Sequence, residues 1–218
     1  MMALFGIVAI ETIPAMVTDF NKKVYATQFK KTYNLLNYAF YRIKSDVCND
    51  TFKNCFNDEN HAETGDDVIN ALGNYIKYRE KCLTGDDSCF HTDIWNLSKS
   101  DTVVIDEPKY KELVMHDGTV VSVHTTSQKD CSTTYFTRNG EGSTCAFIYV
   151  DVNGVNSGPN VSGRDIFQLL LAKDGLYPEG SQGSEESDWD TYCSMSSSHQ
   201  WNGDACAARI IQEGKMNY

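Results

Sequence analysis

Eight cysteines stand in four close couples: Cys48/Cys55, Cys82/Cys89, Cys131/Cys145 and Cys193/Cys206. An even count at short spacings reads as a disulfide framework made in an oxidising compartment. Zinc is the competing chemistry for cysteine. No C-x-x-C pair occurs, however, and these gaps suit a metal knuckle poorly. Sequential pairing is one of about a hundred connectivities that eight cysteines allow.

A second group of residues offers hard oxygen. Asp151, Asn153, the Val155 carbonyl and Asp165, with Asn156 and Asn160 between them, lie in a Gly-rich stretch. Asp-x-Asn opens like a calcium loop, in which alternate residues turn oxygen ligands inward. The pattern departs from an EF-hand at Asn156, where that loop uses Gly, and at Ser162, where it uses Glu. Asn and Gly also build turns and Asx caps without any ion. No motif requires a cofactor, and calcium is the one these residues could use.

Other polar groups carry weaker signals. The acidic run Glu185, Glu186, Asp188 and Asp190 reads as a solvated surface. His61, His91, His116, His124 and His199 are scattered and form no zinc pattern. Serines approach His199 between Ser194 and Ser198 without a G-x-S-x-G elbow. There is no P-loop and no GxGxxG. Trp95, Trp189 and Trp201 suit either a binding patch or loop anchors. Asn49, Asn96 and Asn160 open N-x-S/T sequons. No constellation supports catalysis, so the reading is not that of an enzyme.

The elements that must hold these groups divide the chain in two. Residues 1–44 carry a net charge of +4 and the remainder −15, within a total of −11. Such an acidic balance argues against nucleic acid as a partner. Residues 1–17, MMALFGIVAIETIPAMV, form an apolar stub too short for an ordinary span, with Pro14 placed to kink or start a helix. Residues 18–44 are amphipathic: Tyr25, Phe29, Tyr33, Leu36, Phe40 and Ile43 recur at helical steps, a stripe suited to docking on a core. The head, residues 45–218, opens with a polar segment and a second helix. Thr64 or Asp66 can cap that helix, and Val68, Ile69, Leu72, Tyr75, Ile76 and Arg79 continue it towards Cys82. After Cys89 come the β-type runs TVVI (102–105), ELVM (112–115), TVVSVHT (119–125) and CAFIYVDV (145–152), with Asp117-Gly118 as a hairpin turn. Asp165 to Ala172 suggests a short helix in an otherwise loop-rich last third. Helices followed by strands predict an α+β fold: a helical stem packed on an antiparallel, disulfide-stapled sheet.

Three stretches together resemble the type IV pilin and type II secretion pseudopilin family. GIVAIETIP (6–14) and its amphipathic continuation resemble the second half of the pilin N-terminal helix. VDVNGVNSGPNVSGRDIFQLLLAKDGLYPEG (150–180) is similar to a segment of pilin-like proteins with large cysteine-rich heads. YCSMSSSHQWNGDACAARIIQEGKMNY (192–218) resembles the disulfide-bounded C-terminal region of many pilins, followed by a short final strand. On that match the sequence starts part-way along the family helix, without the leader or its first half. The resemblance implies a filament subunit with other pilins or pseudopilins as partners. It implies an inner-membrane anchor before assembly and a head in the periplasm or at the cell surface. The runner-up is a minor pilin or adhesin head that binds a ligand. Calcium in a C-terminal loop, known among pseudopilins, adds weight to Asp151, Asn153, Val155 and Asp165.

Overall fold

The computed structural model describes residues 2–56, 61–82, 89–90, 93–104, 110–126, 131–138, 141–154 and 157–218. Helix α1, Met2–Asp46, runs unbroken through Pro14. The aromatic-aliphatic stripe is its docking face. Phe29, Leu36, Phe40 and Ile43 are fully buried, Tyr25 and Tyr33 pack beside them, and Ala26, Thr32 and Ala39 fill the gaps between the larger side chains. Phe29 stacks obliquely on Phe167 of the sheet with ring centroids 4.3 Å apart. Nearer the N-terminus the helix leaves the head, and Val17 and Phe20 are 52% and 66% exposed.

The stem lysines fasten it to the acidic head. Lys22 Nζ donates to the Tyr218 carbonyl (2.7 Å), Lys30 Nζ to the Gly214 carbonyl (2.6 Å) and Lys44 Nζ to the Asp174 carbonyl (2.8 Å). Lys31 pairs with Asp117 at 2.8 Å. Exposed pairs of this kind are each worth under about 1 kcal/mol, so the apolar stripe holds the stem and the lysines orient it.

Helix α2, His61–Gly73, starts ahead of the expected Thr64 or Asp66 cap, which both lie within it, and buries Val68, Ile69 and Leu72 against the same core. The helical spacing read through Arg79 does not continue as helix. Asn74 to Ile76 close a turn onto Ala71 and Leu72, and the chain leaves as strand β1, Tyr78–Cys82. Gly73 is a poor helix former, and the strand is stabilised by pairing with β4, Tyr110–Met115. A small ribbon intervenes, β2 Asp93–Trp95 with β3 Thr102–Val104.

The main sheet is antiparallel. β4 turns at Asp117-Gly118 into β5, Val120–Thr125, as the hairpin signal indicated. β6, Thr133–Arg138, and β5 lie along the same side of the long β7, Glu141–Asp151. β8, Ile166–Ala172, and β9, Gly175–Pro178, complete the order β1-β4-β5-β7-β8-β9. The predicted helix at Asp165–Ala172 is thus corrected to a strand. All seven β8 residues are buried, and a short run apolar except for Gln168 fits a buried strand as well as a buried helix. The expected final strand is likewise corrected to a helix. After the four-residue α3, Trp189–Tyr192, comes α4, Cys206–Glu213, which buries Cys206, Ala207 and Ile210 along one side and ends at the left-handed Gly214.

The eight cysteines form four disulfides between sequential neighbours: Cys48–Cys55, Cys82–Cys89, Cys131–Cys145 and Cys193–Cys206. Each staples a place where regular structure stops or is interrupted. Cys48 is buried just beyond the end of α1, and Cys55 is half-buried beside the same core, so their bond folds the chain back after the stem. Cys82–Cys89 closes the segment after β1. Cys145 lies within β7 at the irregularity in its pairing with β8, between Thr144 and Ala146, and is buried with Cys131 in the main core. Cys193–Cys206 joins the end of α3 to the start of α4.

The docked and free parts of α1 differ in what a truncation should cost. Phe29→Ala is expected to lose about 3–5 kcal/mol of unfolding free energy, the usual range for a buried phenylalanine. Phe20→Ala should stay within about 0.5 kcal/mol. Urea unfolding of the two variants against the parent checks both.

Candidate functional site

Side chains on a strand alternate between faces, and the sheet register sorts them into two sets. Val121, Val150 and Phe167 form one cross-strand row and Val123, Ile148 and Leu169 the next. All six belong to the core under α1 and α2. The intervening rows, Ser122–Tyr149–Gln168 and His124–Phe147–Leu170, face the other way. That outer face is not left to water. The last third of the chain covers part of it, and a cavity of about 560 Å³ remains between them.

The sheet supplies the floor of this cavity with His124, Tyr135, Phe147, Tyr149 and Gln168. Tyr135 meets Phe147 edge-on at 4.8 Å. The walls come from two loops. One follows β9 and brings Glu179, Glu185 and Glu186. The other is closed by Cys193–Cys206 and brings His199, Gln200, Trp201 and Asp204, with Tyr192 at its foot.

Both loops are tied down by backbone bonds. Glu185 N–H donates to the Tyr135 carbonyl (2.9 Å) and Thr137 N–H to the Gly183 carbonyl (2.9 Å), so β6 carries the first wall. Ala208 N–H donates to the Glu179 carbonyl (3.0 Å), linking α4 to the end of β9. Asn202, fully buried, donates to the Ser194 and Ser197 carbonyls and accepts from Ser194 N–H, which shapes the second loop from inside. Asn96 is also fully buried and donates to the His199 carbonyl (3.1 Å), so this sequon residue is a structural bolt. Two glycines let the walls approach closely. Gly180 (φ +86°) and Gly203 (φ +126°) have left-handed backbone, and a Cβ there would strike the Ala205 and Ser162 carbonyls respectively. Each adjoins a buried carboxylate, Glu179 and Asp204.

Those carboxylates dominate the electrostatics. Glu179 is 3% exposed and accepts from Gly180 N–H (3.0 Å), and Asp204 is 5% exposed and accepts from the Ser162 hydroxyl (2.6 Å). Burial pushes Glu179 up to about 7, aided by the nearby Asp204 and Glu185 charges and opposed by Gly180 N–H and Ser184. Burial, then repulsion from Asp204, Glu179 and Glu185, drives Glu186 far above the ordinary carboxylate range. Asp204 is raised by burial against the bond from Ser162. Glu186 Oε2 and Gln168 Oε1 are buried without a hydrogen-bond partner. Among the described residues no Lys or Arg lines the cavity.

The oxygen-bearing loop lies elsewhere, between β7 and β8. Asp151 and Asp165 are fully buried at its two ends, joined by Val152 N–H to the Asp165 carbonyl (2.9 Å). Asp151 Oδ1 accepts from Asn153 and Gly154 N–H (3.1 and 2.9 Å), and Asp165 accepts from Asn160 and Val161 N–H (2.9 and 2.8 Å). Burial raises the Asp165 carboxyl while the Val161 and Asn160 amides and the Asn153 side chain hold it down. Asp151, Asn153 and Asp165 are therefore brought together, and Val155 lies outside the described residues. The Asn153 and Asn160 side-chain oxygens are buried without a hydrogen-bond partner, so hard oxygen donors remain once the loop has tied itself.

The chain matches no family model, no curated protein and no solved structure.

Of the polar groups read from sequence, His124, His199 and Trp201 line the cavity. His116 does not, and Trp95 and Trp189 serve as anchors: Trp95 bridges to Val161 and Trp189 lies under the Arg209 guanidinium. The cysteines are staples and none of the eight lines the cavity. Cys55 and Cys145 in particular pack on the main core, on the side of the sheet turned away from it, and Cys193–Cys206 reaches the site only by closing a wall loop. The docking stripe Tyr25, Phe29, Tyr33, Leu36, Phe40 and Ile43 is also remote from the cavity, because it covers the opposite face of the sheet. The acidic run 185–190, read as a solvated surface, is corrected at Glu186, which turns inward among other carboxylates. Glu179, Asp204 and Gln168 gave no sequence signal, because each is a lone polar residue among turn formers or apolar neighbours.

Raised carboxylates make stability depend on pH. Glu179 has a folded value of about 7 against an ordinary 4.5, so its contribution is complete below about 4.5 and lost as pH rises through about 7. Glu186 and Asp204 act in the same direction. The melting temperature is expected to fall between pH 5 and pH 8, with Glu179→Gln flattening the slope. Thermal melts followed by circular dichroism would read it.

Proposed function

We propose that this chain is a pilin-like structural subunit of an extracytoplasmic filament, of the type IV pilus or type II secretion pseudopilus kind. The single observation that carries the reading is the division of labour along α1. From Tyr25 onward its stripe is buried in the head, whereas Val17 and Phe20 stand clear and exposed. A helix of this kind can present apolar surface to neighbouring helices while its far half holds a folded head. Four disulfides in a 218-residue chain suit a head displayed outside the reducing cytosol. Assembly then consists of helix bundling inside and head contacts outside, with other subunits as partners. In this reading the inner membrane holds the helix before assembly. Among the described residues no helix is long and apolar enough to cross a membrane.

Calcium belongs to the same proposal. Asp151, Asn153, Asn160 and Asp165 would hold it and Val155 would lend its carbonyl, so that the ion locks the loop between β7 and β8. Added calcium is expected to raise the melting temperature of chelator-treated protein, and Asp151→Asn to abolish the rise. An unchanged melting temperature removes calcium from the proposal.

A second reading is favoured by the cavity on the outer face: the head is a binding module, as in a minor pilin or adhesin. The two readings separate by experiment. In the filament reading, native protein sediments with sheared filaments, and Phe20→Asp abolishes co-sedimentation without changing the head's melting temperature. Protein that stays soluble in both forms favours the binding module alone.

A further inference from the structure

Among the described residues, the cavity on the outer face of the sheet is lined by several buried acceptor oxygens and by no Lys or Arg. Glu179 and Asp204 are nearly inaccessible, Glu186 Oε2 is buried without a hydrogen-bond partner, and no Lys or Arg among the described residues lines the space. Charges taken out of water are tolerated when a counter-charge meets them. Without a counter-charge these acids hold their protons, and among the described residues His124 and His199 are the only basic side chains along the lining, so a cationic occupant would supply the charge that lets the carboxyls ionise.

Gln168 provides a separate indication. It is 6% exposed, it lines the cavity from the sheet, and its Oε1 is buried with no hydrogen-bond partner. An amide oxygen in that state calls for a donor from inside the cavity. Ammonium and guanidinium groups carry donors alone, matching the Gln168 and carboxyl oxygens of the lining.

The spacing argues against a bare metal ion. Calcium draws six to eight oxygens to about 2.3–2.6 Å. Among the described residues, no three His or carboxylate ligand atoms of this cavity lie within 4.8 Å of one another. Aromatic faces at Tyr149 and Trp201 suit a larger cation, since ring faces attract positive charge and stack on flat or methylated groups. The volume, about 560 Å³, lies within the usual range for small-molecule sites.

We infer that this cavity binds an organic cation, a protonated amine or guanidinium, whose charge sits among Glu179, Glu186 and Asp204 while its carbon framework rests on the aromatic lining. The inference rests on the reading of the head as a binding module.

Isothermal titration of the full chain tests it, with agmatine and 3,3-dimethylbutan-1-amine as cationic probes. The amine's neutral isostere, 3,3-dimethylbutan-1-ol, together with N-acetylglucosamine and calcium chloride, completes the set. Agmatine or the protonated amine is expected to bind and the neutral isostere to bind at least about tenfold more weakly. Glu186→Gln, a near-isosteric change, and Trp201→Ala, at a site 37% exposed, should each weaken the cation about tenfold or more. If Glu186→Gln fails to fold, Trp201→Ala carries the test. Isostere or sugar binding as tightly as the cations overturns the charge assignment and leaves the binding module standing. Calcium binding that Glu186→Gln abolishes replaces the organic cation with a metal. No binding by any probe overturns the inference and removes the support for a binding head.

Discussion

β7 and β8 pair from Thr144–Asp151 against Ile166–Ala172, and the alternation of their side chains holds the head together on both sides at once. Ile148, Val150, Phe167 and Leu169 point toward α1 and α2, while Phe147, Tyr149, Gln168 and Leu170 point away. A slip of one residue would exchange the two sets, placing Gln168 in the core and Phe167 in the cavity. The core row is the stronger constraint, because each large apolar side chain contributes roughly 1.5–3 kcal/mol when buried. Once that row is seated under Phe29 and Leu36, the positions of the cavity floor follow.

The walls obey a different rule. Residues 179–206 contain little regular structure, so their backbone groups must find partners one at a time. Buried Asn96 and Asn202 stand in for strands, as amides that bond loop carbonyls. Arg209 donates to the Cys193 carbonyl (2.9 Å) and lies over the Trp189 and Tyr218 rings. Tyr218 donates to the Gly163 carbonyl (2.6 Å), and its own carbonyl accepts from Lys22 of the stem. The cavity walls and the stem helix are therefore connected through the C-terminal residue. A loop with this many specific bonds presents its acids at defined positions despite lacking secondary structure.

The electrostatics run against ordinary folding preference. Buried acids are raised by desolvation and by one another, a local conflict that a compact protein has no structural need to keep. Such conflicts are expected where a surface serves something other than stability. The oxygen-bearing loop is the contrast: Asp151 and Asp165 each accept backbone amides and close their own loop.

By itself the sequence determined the parts whose signal is local. Helical steps from Tyr25 to Ile43 marked the stem's docking face, and the Asp117-Gly118 turn marked the β4–β5 hairpin. Short spacings marked the cysteine couples, from Cys48–Cys55 to Cys193–Cys206, although many pairings were open to them. Each signal depends on residues close together in the chain. Only the tertiary structure decided that Ile166–Ala172 is a strand, since a run buried on both faces has no periodicity to read. It also decided that Cys55 and Cys145 close on the core, that Tyr78–Cys82 joins the sheet beside β4, and that Glu179, Glu186 and Asp204 meet although separate loops carry them. Nothing in an isolated glutamate distinguishes a solvated charge from a buried one. That difference is made by desolvation, and desolvation exists only after distant segments have closed over the same space.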